Sequence, residues 1–303
     1  MAVPSHDFSI YGLRVRSSLH LPDWPAIARA GDPDVTIIQE PLTGPRLEGP
    51  PYTARSIIED GHLRLAVQGV ARYWARGGTA IRVDPDPDAK PEDVQLYLTG
   101  AVLGAILHQR GLFPLHASCV SLNGHGIALA GPSGAGKSTL VAALVRQGAT
   151  FVSDDLCVLE QTDNGSPRVW PSAARAKLDQ ASLAALDHSG HELDSAGGNR
   201  GKYLVPIRIT GAGPGPVPLH HLYLIRDSED PARTERVEGL DAVAALVDET
   251  YFLRWAGALG LAEQCFAQAA GVARNLRIDR LLRPRGFQHL DGIVQLIVSE
   301  TQR

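Results

Sequence analysis

An α/β core behind a small β-rich domain is the fold class this sequence predicts, and three observations predict it. First, the apolar run Ile127-Ala128-Leu129-Ala130 leads into Gly131-Pro132-Ser133-Gly134-Ala135-Gly136-Lys137-Ser138, which fits the phosphate-loop pattern G-x-x-x-x-G-K-[ST]. Helical spacing then carries Leu140, Val141, Leu144 and Val145 to a stop near Gly148. Second, Ala149-Thr150-Phe151-Val152-Ser153 reads as another strand and ends on Asp154-Asp155. Third, the first ninety residues break into short runs punctuated by proline and glycine, with none of this helical spacing.

Taken in order, the runs Phe8–Val15, 35–39, 54–59, 62–68, 72–75 and 81–84 predict about six strands. The acids alternating with proline over 84–91 read as a solvated linker rather than a metal loop, so the expected domains are 1–92 and 93–303. Residues 94–110 have the apolar spacing of a helix. Leu115 to Leu122 alternates up to Asn123-Gly124, a hairpin signal, and a two-residue turn there sets His116 opposite Gly131. The core is expected over 111–227, closing on a strand at 222–225, with a mobile loop over the site at 188–201. Helices at 241–255, 258–275 and 287–299 finish the chain.

The chemistry follows from the loop. A buried strand, a glycine-rich turn and a helix start bring unpaired N–H groups and the positive end of the helix dipole together, which favours an anion. Gly131, Pro132, Ser133, Gly134, Ala135, Gly136, Lys137, Ser138 and Thr139 are therefore the expected nucleotide contacts, with Lys137 on the β/γ-phosphates and Ser138 on Mg²⁺. In a right-handed crossover the two parallel strands end on one edge of the sheet, so Asp154 and Asp155 emerge beside the phosphates. One carboxylate can hold the metal while the other accepts a proton from an attacking hydroxyl. His116, at the mouth of the loop, can orient or share a proton with Asp154.

Leu115-His116-Ala117-Ser118, GPSGAGKS and Phe151-Val152-Ser153-Asp154-Asp155 resemble the catalytic domain of HPr kinase/phosphorylase, a fold related to phosphoenolpyruvate carboxykinase. The HPr-kinase-like proteins of bacterial lasso-peptide clusters share more, including the flavour of Tyr11-Gly12-Leu13, His108-Gln109-Arg110-Gly111, Gly201-Lys202-Tyr203 and Arg283-Pro284-Arg285. The resemblance implies an ATP- and Mg²⁺-dependent serine kinase whose catalytic positions are His116, Lys137 and Asp154. Asp154 is then the proton acceptor, and Ser138 and Asp155 are the metal ligands. The implied acceptor is a peptide or small protein, in particular the C-terminal serine of a lasso-peptide precursor. A small-molecule hydroxyl, or nucleotide sensing without turnover, stands as the alternative. The family's glutamate-bearing segment after the aspartate pair and its arginine-rich dephosphorylation segment have no clear counterpart, so phosphorylase activity is not implied. Arg254 is the candidate for stabilising transition-state charge, with Lys202 as its rival.

Composition bounds the rest. The 303 residues, 44% of them apolar, can bury a substantial core. A net charge of −4 without a basic run argues against nucleic acid and against an anionic membrane surface as partners. No signal segment or membrane-length apolar run is present, which implies a cytoplasmic protein; the oligomeric state is open, a homo-oligomer included. Cys119, Cys157 and Cys265 read as buried small hydrophobes in a reducing compartment, and His188, His191, His220 and His221 as ordinary loop histidines.

Overall fold

The computed structural model describes residues 5–29, 31–173, 175–186, 193–198, 201–206 and 215–301. The chain divides into two compact units, 1–112 with 195–200 and 252–264, and 113–194 with 201–251 and 265–303. The first division falls after Leu112, not at residue 92. The helix after the proposed linker goes with the β-rich unit because its apolar face packs on that unit's own sheet.

The first unit holds one seven-stranded sheet. Its strands are β1 (His6–Ile10), β2 (Leu13–Ser17), β3 (Val35–Gln39), β4 (Ala54–Glu59), β5 (His62–Val67), β6 (Ala71–Arg76) and β7 (Ala80–Pro85), in the order β1-β2-β3-β7-β6-β5-β4. The single strand expected over Phe8–Val15 is a hairpin. Tyr11 and Gly12 both have positive φ, as a tight primed turn requires. Strict alternation then sorts the faces: Leu63, Leu65, Tyr73, Ile81 and Val83 are buried, while Arg64, Arg76 and Arg82 face out. The buried face meets a helix that runs as α1 (Pro91–Tyr97), a π-helical turn over Leu98–Val102 and α2 (Leu103–Gln109), with Tyr73 donating to the Val94 carbonyl at 2.9 Å. The linker acids are not merely solvated. Asp84 is buried and accepts from Arg72, Arg46 at 2.9 Å and the Leu42 amide at 3.1 Å.

The second unit is built on a larger sheet. Its elements are β8 (Phe113–Leu115), β9 (Ala117–Leu122), β10 (His125–Ala130), α3 (Lys137–Arg146), β11 (Thr150–Ser153), β12 (Cys157–Gln161), β13 (Pro167–Trp170), β14 (Arg175–Asp179), α4 (Gln180–Ala185), β15 (Asp194–Ser195), β16 (Lys202–Pro206), β17 (Val217–Asp227), β18 (Arg233–Arg236) and α5 (Gly239–Asp248). After α6 (Leu253–Ala258), which lies in the first unit, come α7 (Ala262–Asn275), β19 (Arg277–Arg283) and α8 (Leu290–Thr301). The main sheet runs β11-β9-β10-β17-β13-β12-β8, with β19 beside β17 and β18 beside β19; β14, β16 and β15 form a small sheet of their own. Ile127 and Leu129 join one apolar layer, with α3 and α8. Ala128 and Ala130 join the other, with α5 and α7. A strand buried on both faces has to be apolar throughout, as this one is.

β10, β17 and β19 are mutually parallel, so their C-terminal ends share one edge. β11 reaches that edge too, with β9 lying antiparallel between it and β10. β18 and β19 answer to no expected strand. The helix expected over 241–255 is two helices, because residues 249–251 leave helical geometry to pair with the β8 segment: the His116 amide donates to the Glu249 carbonyl at 2.7 Å and the Tyr251 amide to Pro114 at 2.9 Å. The three cysteines are free and buried. His188 and His191 lie outside the described residues, as does half of the expected lid, of which 193–198 and 201 are described. No described helix is long and apolar enough to cross a membrane.

Candidate active site

The loop forms as its residues require. Asn123 and Gly124 take the positive φ values of the expected hairpin turn, and the register of β9 on β10 continues to Ala117 opposite Ala130. His116 and Gly131 are thereby carried out together at the sheet edge. Gly131 has φ +142, and a side chain there would meet the Ile225 carbonyl at 3.0 Å, so the strand end accepts only glycine. Gly136, also left-handed, caps α3, while Pro132, Ser133 and Gly134 are exposed.

Lys137 opens α3 and turns back across the loop. Its Nζ donates to the carbonyls of Gly131 at 2.8 Å and Pro132 at 3.3 Å, and lies 3.0 Å from His116 Nε2. An ammonium can only donate, so Nε2 accepts and the imidazole proton sits on Nδ1. Nδ1 lies 3.2 Å from the Asp155 carbonyl and 3.5 Å from its carboxylate. Burial lowers the Lys137 pKa, against the pull of Asp155, Glu249 and Asp154.

The two aspartates part company. Asp154 is buried and accepts at both oxygens: Oδ1 from Ser118 at 2.6 Å and Ser138 at 2.8 Å, and Oδ2 from the Lys177 amide at 2.8 Å. Asp155 takes φ +70, a conformation disfavoured for a side chain and frequent at functional sites. Its carboxylate accepts from Lys177 Nζ at 2.9 Å. Burial opposes its ionisation, but Lys177, His116 and Lys202 outweigh that and hold the Asp155 pKa well below the usual carboxylate range. The expected pairings are therefore exchanged. His116 turns to Asp155 and not to Asp154, and Ser138 touches Asp154 and not Asp155, because neighbouring residues at a strand end point opposite ways.

Several residues of the site were not anticipated. Glu249 is buried and accepts from the Gly131 amide at 3.1 Å, with Arg226 at 3.6 Å from its other oxygen. Arg283, at the end of β19, donates to the Ala135 carbonyl at 2.6 Å and ties the loop down. Lys177 touches both aspartates. Glu249 and Lys177 belong to no motif, and Arg283 stands in the Arg283-Pro284-Arg285 run of the resemblance, which gives it no role; the parallel pairing of β10, β17 and β19 brings Arg226 and Arg283 to the loop's edge. Lys202 lies across from Asp179 in the small sheet. Thr139 meets Ser182, hydroxyl to hydroxyl, at 2.8 Å. Arg254 belongs to the first unit, where it is exposed over the Trp255 ring. Beside the loop lies a cavity of about 210 Å³, walled by Gly134, Gly136, Thr139, Arg283, Arg285 and Phe287.

No family model matches the chain, and no curated protein matches it significantly. Among solved structures it is similar to the Hpr(Ser) kinase/phosphatase from Coxiella burnetii, at 13% identity and a TM-score of 0.33, over 62% of this chain and 96% of that one. So remote a likeness carries no argument about activity, which has to rest on the residues themselves.

Proposed function

We propose that the protein is an ATP-dependent kinase that transfers the terminal phosphoryl group of ATP to a hydroxyl. The observation that carries this reading is the arrangement around Lys137: a phosphate loop at the C-terminal edge of parallel strands, with Ser138 on one carboxylate and His116 on the other. A pure nucleotide binder needs the loop but not two carboxylates in different surroundings.

The oxygens of Ser138 and Asp154, 2.8 Å apart at the start of α3, are the hard donors that suit Mg²⁺, and they would hold it. A bound Mg²⁺ would supply positive charge against the phosphates. Asp155 takes the proton: as the acceptor oxygen bonds to phosphorus and the bond to ADP breaks, the hydroxyl proton passes to its carboxylate. His116 holds Asp155 in place through Nδ1–H and receives Lys137 at Nε2. An arriving phosphate competes for the Lys137 ammonium, which the loop carbonyls hold in its absence. The 210 Å³ cavity at Phe287 is where the nucleoside end would lie. For the acceptor, the resemblance in the sequence favours a peptide serine, such as the C-terminal serine of a lasso-peptide precursor, in a reducing, cytoplasmic setting.

The reading is tested by melting the protein with ATP and Mg²⁺ and by following labelled phosphoryl transfer to serine-terminated peptides. At about 100 times its Kd, ATP should add roughly 2.7 kcal/mol of stability. Lys137→Ala should remove most of that gain. A wild-type protein indifferent to every nucleotide would sink the proposal.

A further inference from the structure

The outward face of the first unit's sheet carries a row of side chains that the kinase reading does not use. Strand register aligns Ile57, Arg64, Trp74, Arg82 and Ile38 directly across β4, β5, β6, β7 and β3. The guanidiniums of Arg64, Arg76 and Arg82 all lie 5.5–5.6 Å from the centre of the Trp74 ring. Arg55 stands on the same face, two residues from Ile57. Of these arginines only Arg82 has an acidic partner among the described residues, Glu40 at 2.6 Å. Three guanidiniums around one ring repel one another, and Arg64 and Arg76 have no ion-pair partner among the described residues. At the ends of the row Ile57 and Ile38 are 53% and 41% exposed. The segment Pro41–Leu47 walls one side, leaving a cavity of about 580 Å³ over the row. Inside this unit the Trp74 indole N–H is buried without a hydrogen-bond partner.

We infer that this face is a docking site for an acidic peptide segment with apolar residues interspersed. Charge complementarity selects the acid: carboxylates would fill the places between Arg55, Arg64 and Arg76. Ile57, Ile38 and the flat of Trp74 select the apolar positions. Five strands spaced at about 4.8 Å make the row about 19 Å long, the span of roughly six extended residues. A polynucleotide is the poorer fit, since the chain is net negative and the guanidiniums of this face form one short cluster. That the bound segment belongs to the phosphoryl acceptor rests on the kinase reading; the docking itself does not.

The test uses the full chain without nucleotide, so a failure of docking and a failure of phosphoryl transfer are told apart. A fluorescein-labelled peptide of alternating Glu and Leu, its Lys/Leu counterpart and a single-stranded oligonucleotide are titrated at low salt and followed by anisotropy. The Glu/Leu peptide should bind, weaken as salt rises, and lose roughly tenfold in affinity with Arg55→Glu/Arg64→Glu. Both arginines are exposed, so that variant should keep the wild-type circular dichroism and melting temperature. Arg64→Lys and Trp74→Phe separate charge from ring; each should lose less than the double reversal. No binding of the acidic peptide, equal binding by the folded double variant, or tighter binding of the oligonucleotide would each overturn the inference.

Discussion

Two clusters in the second unit are made of nearly the same parts and are built to opposite ends. At the phosphate loop, His116 meets Asp155 with Lys137 and Lys177 around them, and the two side chains are 31% and 33% exposed. At the other end of the same parallel strands His221 meets Asp279 at 2.6 Å, and these two are 6% and 2% exposed. The ligating atoms of His221, Asp279 and Glu300 lie within 4.8 Å of one another, which is near enough for a metal site. Yet Arg277 reaches both carboxylates, at 2.8 Å and 3.3 Å, while Tyr223 and Thr234 donate to Glu300. Both carboxylates there are bonded by the protein's own donors. At the loop, by contrast, the ammonium rests on backbone carbonyls that a phosphate can replace. The lesson is that a histidine–carboxylate pair becomes a site by what its neighbours leave unsatisfied, and by lying at the strand ends where a ligand can reach it.

Removing one acid from each cluster should have opposite consequences. Asp155→Asn should lower turnover by about 10²–10⁴-fold while leaving ATP binding near the wild type, because the lost function is proton acceptance. Asp279→Asn should do the reverse. Taking one partner from a buried ionic network costs about 3–5 kcal/mol, read as a fall in the urea midpoint, with the activity of the remaining folded protein intact. Asp154→Asn separates the two neighbours at the loop: it should weaken the Mg²⁺ dependence of ATP binding. Should Asp154→Asn keep that dependence and lose only turnover, the proton acceptor is Asp154 and the roles return to those first expected.

The next effect is on pH. Burial lowers the His221 pKa to about 4, despite the pull of Asp279. In the unfolded chain a histidine titrates near 6.5. Between those two values the unfolded state binds more protons, so stability is fully present above about pH 6.5 and is lost as pH falls towards 4. The whole span is worth about 3 kcal/mol. Urea midpoints taken from about pH 7 down to about pH 4.5 should drop accordingly in the wild type, and His221→Gln should flatten that part of the curve. An unchanged slope in the variant would mean that His221 is not held neutral.

These contrasts also mark how far the sequence could be read. The strand, loop and helix from Ile127 to Val145 and the Asn123-Gly124 hairpin were legible because each is local: a glycine needing positive φ, or an apolar period, is written within a few residues. That the Asp154-Asp155 pair ends on the edge of the loop was legible at one remove, through the topology of a parallel crossover, but which of the two meets Ser138 was not. What was not legible depends on pairings distant in sequence. β19 looks like a charged surface segment, Arg-Ile-Asp-Arg-Leu-Leu-Arg, until its register against β17 buries Asp279 and aims Arg283 at the loop. Glu249 sat inside an apolar helical period, and only its pairing with the β8 segment breaks the helix and turns its carboxylate to Gly131. His221 reads as a loop histidine in the sequence because no carboxylate or cysteine stands near it at metal spacing; Asp279 reaches it only through the pairing of β17 with β19.

The smallest expected effect lies on the open side of the phosphate loop, at Phe287. It is 45% exposed, a large aromatic ring at the rim of the 210 Å³ cavity, just past Arg285. The rings of the closed cluster, His221 and Tyr223, are instead buried against each other, with centroids 3.8 Å apart and planes tilted by 32°. If the nucleoside end of ATP lies in the cavity, the ring offers it a stacking surface worth about 1 kcal/mol, and Phe287→Ala should raise the KM for ATP roughly fivefold with kcat unchanged. Phe287→Trp should restore affinity, because a larger ring stacks as well, whereas Phe287→Leu should recover only the apolar part. The pattern to look for is a graded KM at constant kcat across the three variants. A fall in kcat with KM unmoved would place Phe287 against the acceptor instead, and would move the nucleoside to another wall of the loop.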